Sequence, residues 1–169
     1  MRILGIDPGL VKTGWGIIET EGNRLSYVAS GLIKPDAGQE MAHRLKDIDE
    51  AFQKIIADFE PDSAAIEETF VNKNPASALK LGLARGVAMT VPARMGLSVG
   101  EYPANLVKKS IVGAGKAAKD QMGMMIKTLL PTCGVLSEDE ADALAVAITH
   151  AHHRQSALKF GGKLSGAAR

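Results

Sequence analysis

Residues 2–6 form a short apolar run, Arg2-Ile3-Leu4-Gly5-Ile6, which ends in Asp7 and the turn signal Pro8-Gly9. That is the pattern of a buried strand. Residues 14–19 and 25–33 read as two further strands, with Glu21-Gly22-Asn23 as the turn between them. Such short connections predict an antiparallel meander. From 40 to 59 the period changes. Met41, Leu45, Ile48, Phe52, Ile55, Ile56 and Phe59 recur at intervals of three and four, an amphipathic helix that Pro61 closes. Residues 63–67 read as a buried strand ending in carboxylates. A helical stretch rich in small residues follows over 77–95, with Leu79, Leu81, Leu83, Val87 and Val91 as its apolar side. Residues 97–99 supply a fifth strand, and helices are predicted over 103–112, 117–130 and 138–154.

The order βββ-α-β-α-β-α-α-α predicts an α/β fold: a five-stranded mixed sheet, three antiparallel strands then two parallel ones, flanked by helices. A chain of 169 residues holds one such domain. Its expected extent is 1–155, followed by a basic, glycine-bearing, flexible tail over 156–169. Cys133 has no cysteine partner, the N-terminus lacks the long apolar stretch of a signal peptide, and no run of 18 apolar residues occurs. A cytoplasmic protein is the expectation.

Charge adds more than composition does. Residues 1–70 carry seven Lys/Arg against thirteen Asp/Glu, whereas residues 71–137 carry nine against two. A basic middle beside acid-bearing flanks suits a nucleic-acid enzyme, with cations for phosphates and carboxylates for metal. A charge-mixed solvated surface explains the same numbers equally well.

The acids narrow the choice. Asp7 ends one strand and is either a turn residue or a metal ligand at the sheet's carboxyl edge. Glu67 ends another; Glu68 follows it, and only one of that pair can share Asp7's side. Ser137 and Glu140 have the spacing of a capping box, which accounts for Glu140. Asp139 and Asp142 are neighbours on one helical face. Asp142 enters the apolar run 143–148, where a charge is costly unless paired or metal-bound. Converging carboxylates are what metal-assisted phosphodiester hydrolysis needs, since hard cations prefer oxygen ligands.

Several motifs carry a resemblance: Gly5-Ile6-Asp7-Pro8-Gly9 with Thr13-Gly14; Ala65-Ile66-Glu67-Glu68; Ser77-Ala78-Leu79-Lys80-Leu81-Gly82; Val107-Lys108; and Asp139-Glu140-Ala141-Asp142-Ala143-Leu144-Ala145 with Ile148-Thr149-His150. In order and spacing, over about 2–153, the chain resembles the RuvC family of Holliday-junction resolvases. The resemblance implies an RNase H-like fold and a homodimer. It implies paired symmetric nicks with Mg²⁺ or Mn²⁺, two ions per subunit, and work beside the RuvA–RuvB branch-migration complex. It assigns Asp7, Glu67, Asp139 and Asp142 as catalytic metal ligands; the position matched by Asp139 is His in some members. Lys108 and Lys119 match DNA-contacting residues, and Phe70 matches an aromatic that stacks on a base, with core packing as its alternative. Lys80 and Arg85 are expected near DNA or the subunit interface, as is Lys73.

The helix over 77–95 has two readings. Ala78, Gly82, Ala84, Gly86 and Ala88, with Leu79, Leu83 and Val87, would pack within the domain or against a second copy. His150 is read as structural, while His152 and His153 could touch phosphate. Cys133 is read as a partly buried loop residue and no nucleophile. Three competing functions stay open: a phosphotransferase of the actin and sugar-kinase group, for which the chain is short; an RNA-processing nuclease of related fold; and a junction-binding protein that does not cut.

Overall fold

Strands β1 (Arg2–Asp7), β2 (Thr13–Glu21) and β3 (Arg24–Ile33) open the chain as an antiparallel meander. The computed structural model describes residues 1–68, 74–113 and 119–159, the side chains of 119, 120 and 157–159 excepted. The order continues with α1 (Met41–Phe59), β4 (Ser63–Glu68), α2 (Pro75–Arg94), β5 (Ser98–Pro103), α3 (Ala104–Val112), α4 (Lys119–Leu129) and α5 (Glu138–Lys159). The sheet runs β3-β2-β1-β4-β5, with β1 parallel to β4 and β4 parallel to β5. This is the five-stranded mixed sheet expected from the element order.

Local signals explain most boundaries. Glu60 ends α1 in the left-handed region, φ 46°, donating its N–H to Ile56 O, and Pro61 follows. The Asn74 side chain caps α2 by accepting from Ala76 N at 3.0 Å and Ser77 N at 3.3 Å, with Pro75 in the first turn. That helix therefore starts two residues earlier than its apolar pattern indicates. β5 extends to Pro103 because its later positions pair with β4, although Gly100 and Glu101 break the apolar pattern. α5 runs to Lys159, past the expected domain end at 155.

The sheet separates two cores. Leu4, Ile6, Ile17 and Ile66 meet Ile48, Phe52 and Ile56 of α1 and Ala84, Ala88 and Val91 of α2. On the other face, Ile3, Ile18 and Ala65 meet α3, α4 and α5 through residues such as Val107, Ile126, Leu144 and Ile148. Two expectations are corrected here. Helix α2 buries Ala84, Ala88, Val91 and Pro92, while Leu79 and Leu83 are 70% and 41% exposed. Ala84 and Ala88 pack inward, whereas Gly82, Gly86 and the leucines at 79 and 83 are exposed. Cys133 is buried and packs in the second core.

The feature that positions everything else is a row of small residues. Cross-strand register aligns Ser30, Gly16, Gly5, Ala65 and Gly100 over all five strands. α5 lies directly on this row. A Cβ at Gly5 would stand 2.0 Å from Ala143 O, one at Gly16 2.6 Å from Leu144 Cδ2, and one at Gly100 2.8 Å from His150 Nδ1. Residues 143–148 of α5 are consequently fully buried. Glycine within a strand costs roughly 0.5–1 kcal/mol relative to alanine. Here that cost is offset by a helix packed on bare backbone.

Gly5→Ala should therefore destabilise by about 1–3 kcal/mol, as overpacking does, and melt earlier by about 2–4 °C for each kcal/mol in a chain of this size. Thermal unfolding followed by circular dichroism measures this; an unchanged midpoint would show that α5 does not rest on β1.

Candidate active site

Ile6 and Ile66 are partners in the parallel β1–β4 pair, so Asp7 and Glu67 are the next residues on adjacent strands. Side-chain alternation sends both to the face that carries α5, and sends Glu68 to the other. Asp7 is also paired with Gly14 on β2, and a Cβ at Gly14 would lie 2.0 Å from Asp139 O and 3.1 Å from Asp139 Cβ. The first turn of α5 thus sits over the strand beside Asp7. Asp142 follows one turn along the same helical face.

The start of α5 is held from two sides. Ser137 donates its N–H to Glu140 Oε2 at 3.0 Å and its hydroxyl to the same oxygen at 2.6 Å, while Glu140 N–H donates to Ser137 Oγ at 3.4 Å. This is the expected capping box. Ser30 Oγ on β3 adds a bond to Glu140 Oε1 at 2.9 Å. Burial alone would raise the Glu140 pKa, but the Ser137 and Ser30 hydrogen bonds bring it below the usual value. The loop after Asp7 is also fixed. Thr13 Oγ donates to Gly9 O at 2.6 Å and accepts from Gly9 N at 3.2 Å, and Arg44 Nη2 donates to Leu10 O at 2.8 Å.

The four carboxylates interact electrically. Burial, then the charges of Glu67, Asp142, Asp139 and Glu138, push Asp7 up to about 8. Burial and Asp142 also raise Glu67, with Lys108 opposing. Among the described residues no three His, Cys, Asp or Glu side chains are gathered into a closed metal cage. The charges nevertheless interact, because the sheet and the start of α5 bring these residues to one face. An all-oxygen donor set in which an acid resists ionising fits a hard divalent cation, whose charge would favour the ionised form.

A cleft of about 680 Å³ opens beside these groups, between α3, α4 and α5. Glu67, Lys108, Lys127, Glu138 and Asp142 are among the residues that line it, while Asp7 and Asp139 are not.

The expected nucleic-acid contacts are distributed unevenly. Lys108 is exposed and close enough to Glu67 to lower its pKa. Lys80 is exposed on α2. Arg85 pairs with Glu101 Oε2 and donates from Nε to Glu67 O at 3.5 Å, so it braces the end of β4 from behind the site. Lys119 heads α4, but its side chain, like Phe70 and Lys73, lies outside the described residues. His150 is buried, with Nδ1 2.9 Å from the Tyr102 hydroxyl, and burial pushes it down to about 4. Tyr102 is itself the β5 partner of Glu67. The close-approach glycines, Ser30 and this Tyr102–His150 pair were not anticipated; the spacing Gly14-x-Gly16 within a strand was the available signal.

A family model described as "Crossover junction endodeoxyribonuclease RuvC" matches residues 3–150. A protein of that name from Paramagnetospirillum magneticum is 62% identical over 160 residues, covering 95% of this chain and 96% of that one. One from Rhodopseudomonas palustris is 58% identical over 160 residues, covering 95% and 92%. The structure is similar to that of Thermus thermophilus RuvC in complex with a Holliday junction substrate, with a TM-score of 0.86 at 28% identity, covering 92% of this chain and 96% of that one.

The Asp7 shift predicts a pH dependence. An acid whose folded pKa, about 8, exceeds its ordinary 3.8 favours the fold when protonated, and that stabilisation is lost as pH rises through the folded value. In chelator-treated protein, Asp7→Asn should match the wild type near pH 4 and melt higher than it at pH 8. Identical pH profiles of melting temperature would show that Asp7 ionises freely.

Proposed function

The chain belongs to the RuvC family of crossover junction endodeoxyribonucleases, and on that premise we propose that it resolves four-way DNA junctions by paired, symmetric, metal-dependent nicks during recombination and repair. It is an RNase H-like nuclease. The observation that carries the proposal is the convergence of Asp7 and Glu67 from neighbouring parallel strands with Asp139 and Asp142 from the helix laid across them. Metal dependence is general in this family. The finer assignment is Mg²⁺, with Mn²⁺ as a substitute and two ions per subunit, held by Asp7, Glu67, Asp139 and Asp142; the oxygen-only donor set supports it. Divalent cations held by these carboxylates would supply a means to activate water and to stabilise the leaving oxygen.

The protein's own residues do the rest. Asp7 and Glu67 project from a rigid sheet, which fixes where the phosphodiester must sit. Lys108, opposite Glu67, holds phosphate and offsets negative charge. Lys80, Lys119 and Phe70 are assigned to DNA as the family resemblance implies. Arg85 is assigned there more weakly, because Glu101 already engages it.

A homodimer accounts for paired nicks, since a two-fold axis presents two sites to two symmetric strands. The outward face of α2 supports it: Leu79 and Leu83 are exposed, and among the described residues Gly82 and Gly86 have nothing within 4 Å of where a Cβ would stand. Partnership with the RuvA–RuvB complex, a cytoplasmic location and a basic tail after α5 belong to the same reading. No helix among the described residues is long and apolar enough to cross a membrane.

Asp7→Asn, Glu67→Gln and Asp142→Asn should each abolish cleavage of a synthetic four-way junction while leaving junction binding largely intact, because they remove metal ligands and spare the basic surface. Cleavage and gel-shift assays read the two effects; near-normal metal-dependent cutting by Asp7→Asn would refute the assignment. The double variant Leu79→Lys/Leu83→Lys should be monomeric by light scattering with its melting temperature retained. A dimer of wild-type strength would move the interface elsewhere.

A further inference from the structure

Residues 1–70 are acid-rich, yet two of their lysines meet at the edge of the sheet that carries Asp7. Thr13 and Ile33 form the last pair of the β2–β3 ladder at that edge, and Lys12 and Lys34 are the residues just beyond them. Gly14 pairs with both Asp7 and Leu32, so the ends of β1, β2 and β3 lie level. Gly14 faces Asp139 of α5, and Ser30 bonds Glu140 of the same helix. Alternation by twos leads from Gly14 to Lys12 and from Ser30 to Lys34, which puts both lysines on the α5 face.

Both lysines are exposed, and neither forms a salt bridge with a described residue. Other cations of the segment do: Arg2 meets Glu19, Lys46 meets Glu50 and Lys54 meets Asp58. After burial and the Ser137 and Ser30 hydrogen bonds, the charge of Lys34 also acts on Glu140, which agrees with a place beside the start of α5. Both Glu140 oxygens are already taken, Oε2 by Ser137 and Oε1 by Ser30. Like charges at neighbouring strand positions repel, and a bound anion relieves that repulsion. The backbone at Lys12 is held in place. Thr13 Oγ bonds both Gly9 O and Gly9 N, Arg44 donates to Leu10 O, and a Cβ at Gly9 would stand 2.1 Å from Lys12 O. Lys108 stands on the other side of the acids, near Glu67 of β4. From β3 to β4 is three strand spacings, roughly 14 Å, with Asp7 of β1 between them.

We propose that Lys12 and Lys34 together hold one backbone phosphate of the cut strand, on the side of the carboxylates away from Lys108. The strand then crosses the ends of β4, β1, β2 and β3, with its scissile phosphate at the acids and a cation on either flank. The proposal rests on the nuclease reading above and adds two positioning residues that the family resemblance leaves unassigned. A strand held at both flanks cannot slide along the row of acids, so the pair sets which phosphodiester is presented for cleavage. Lys12 and Lys34 act by placing DNA; neither touches the reacting atoms.

The test uses the full-length protein and synthetic four-way junctions. The double variant Lys12→Ala/Lys34→Ala should melt at or above the wild-type temperature, because a repulsion is removed. It should also flatten the dependence of log affinity on log salt by about 0.7–0.9, the contribution of one phosphate contact. Lys46→Ala/Lys54→Ala, which removes two cations from α1, should keep the wild-type slope. A second measurement locates the phosphate: single neutral methylphosphonate linkages are scanned along the cut strand. One linkage, on one side of the cut, should slow the wild type and have no further effect on the Lys12→Ala/Lys34→Ala protein. An unchanged salt slope, or a scan identical in the two proteins at every position, overturns the pair and leaves the nuclease assignment standing. If the wild type itself fails to cut junctions with metal, the nuclease assignment falls and takes the pair with it. Should the alanine variant lose its fold, Lys12→Gln/Lys34→Gln, which keeps most of each aliphatic stem, is read by the same two criteria.

Discussion

The close seating of α5 on the sheet is the contact on which the rest of this structure depends. Glycines on β1, β2 and β5 remove the side chains that would otherwise hold a helix away, and Ala143 and Leu144 occupy the space. A helix resting on ordinary strand side chains would stand further out. The acids of its first two turns would then lie beyond the reach of Asp7. The glycines thus act on both stability and function: they permit the second core, and they bring Asp139 and Asp142 over the ends of β1 and β4.

That placement has an electrostatic cost. Carboxylates forced together in a partly buried site raise one another's pKa, and Asp7, carrying the most burial and the most acidic neighbours, is the most affected. The protein offsets part of this with Lys108, which opposes the rise at Glu67. The capping box and Ser30 hold the helix start against the repulsion. A site of this kind is a poor home for anions alone and a good one for a divalent cation with a phosphate.

Much of this was legible in the chain. The β-meander, α1 and the element order followed from turn residues, from apolar runs that bury strands on both faces and from the period that buries one face of α1. Asp7 and Asp142 stood out because each is a charge attached to an apolar run, whereas linking them as metal ligands drew on the family resemblance. Other features were hidden for physical reasons. The apolar stripe of α2 does not coincide with its buried side, because Ala84 and Ala88 pack inward while Leu79 and Leu83 face outward. Tyr102, Ser30 and Lys127 are brought to the site by register and by α4 packing, which single-chain spacing does not encode. The role of Gly5, Gly14, Gly16 and Gly100 emerges only once strands are aligned, since each is an ordinary turn-or-flexibility residue when viewed alone.

Crystals soaked with Mn²⁺ and examined by anomalous scattering test the central claim most directly. The account predicts metal density ligated by carboxyl oxygens of Asp7 and Glu67 from the sheet and of Asp142 from the helix above them. Density bound elsewhere, with those three carboxyl groups too far apart to share an ion, would contradict it.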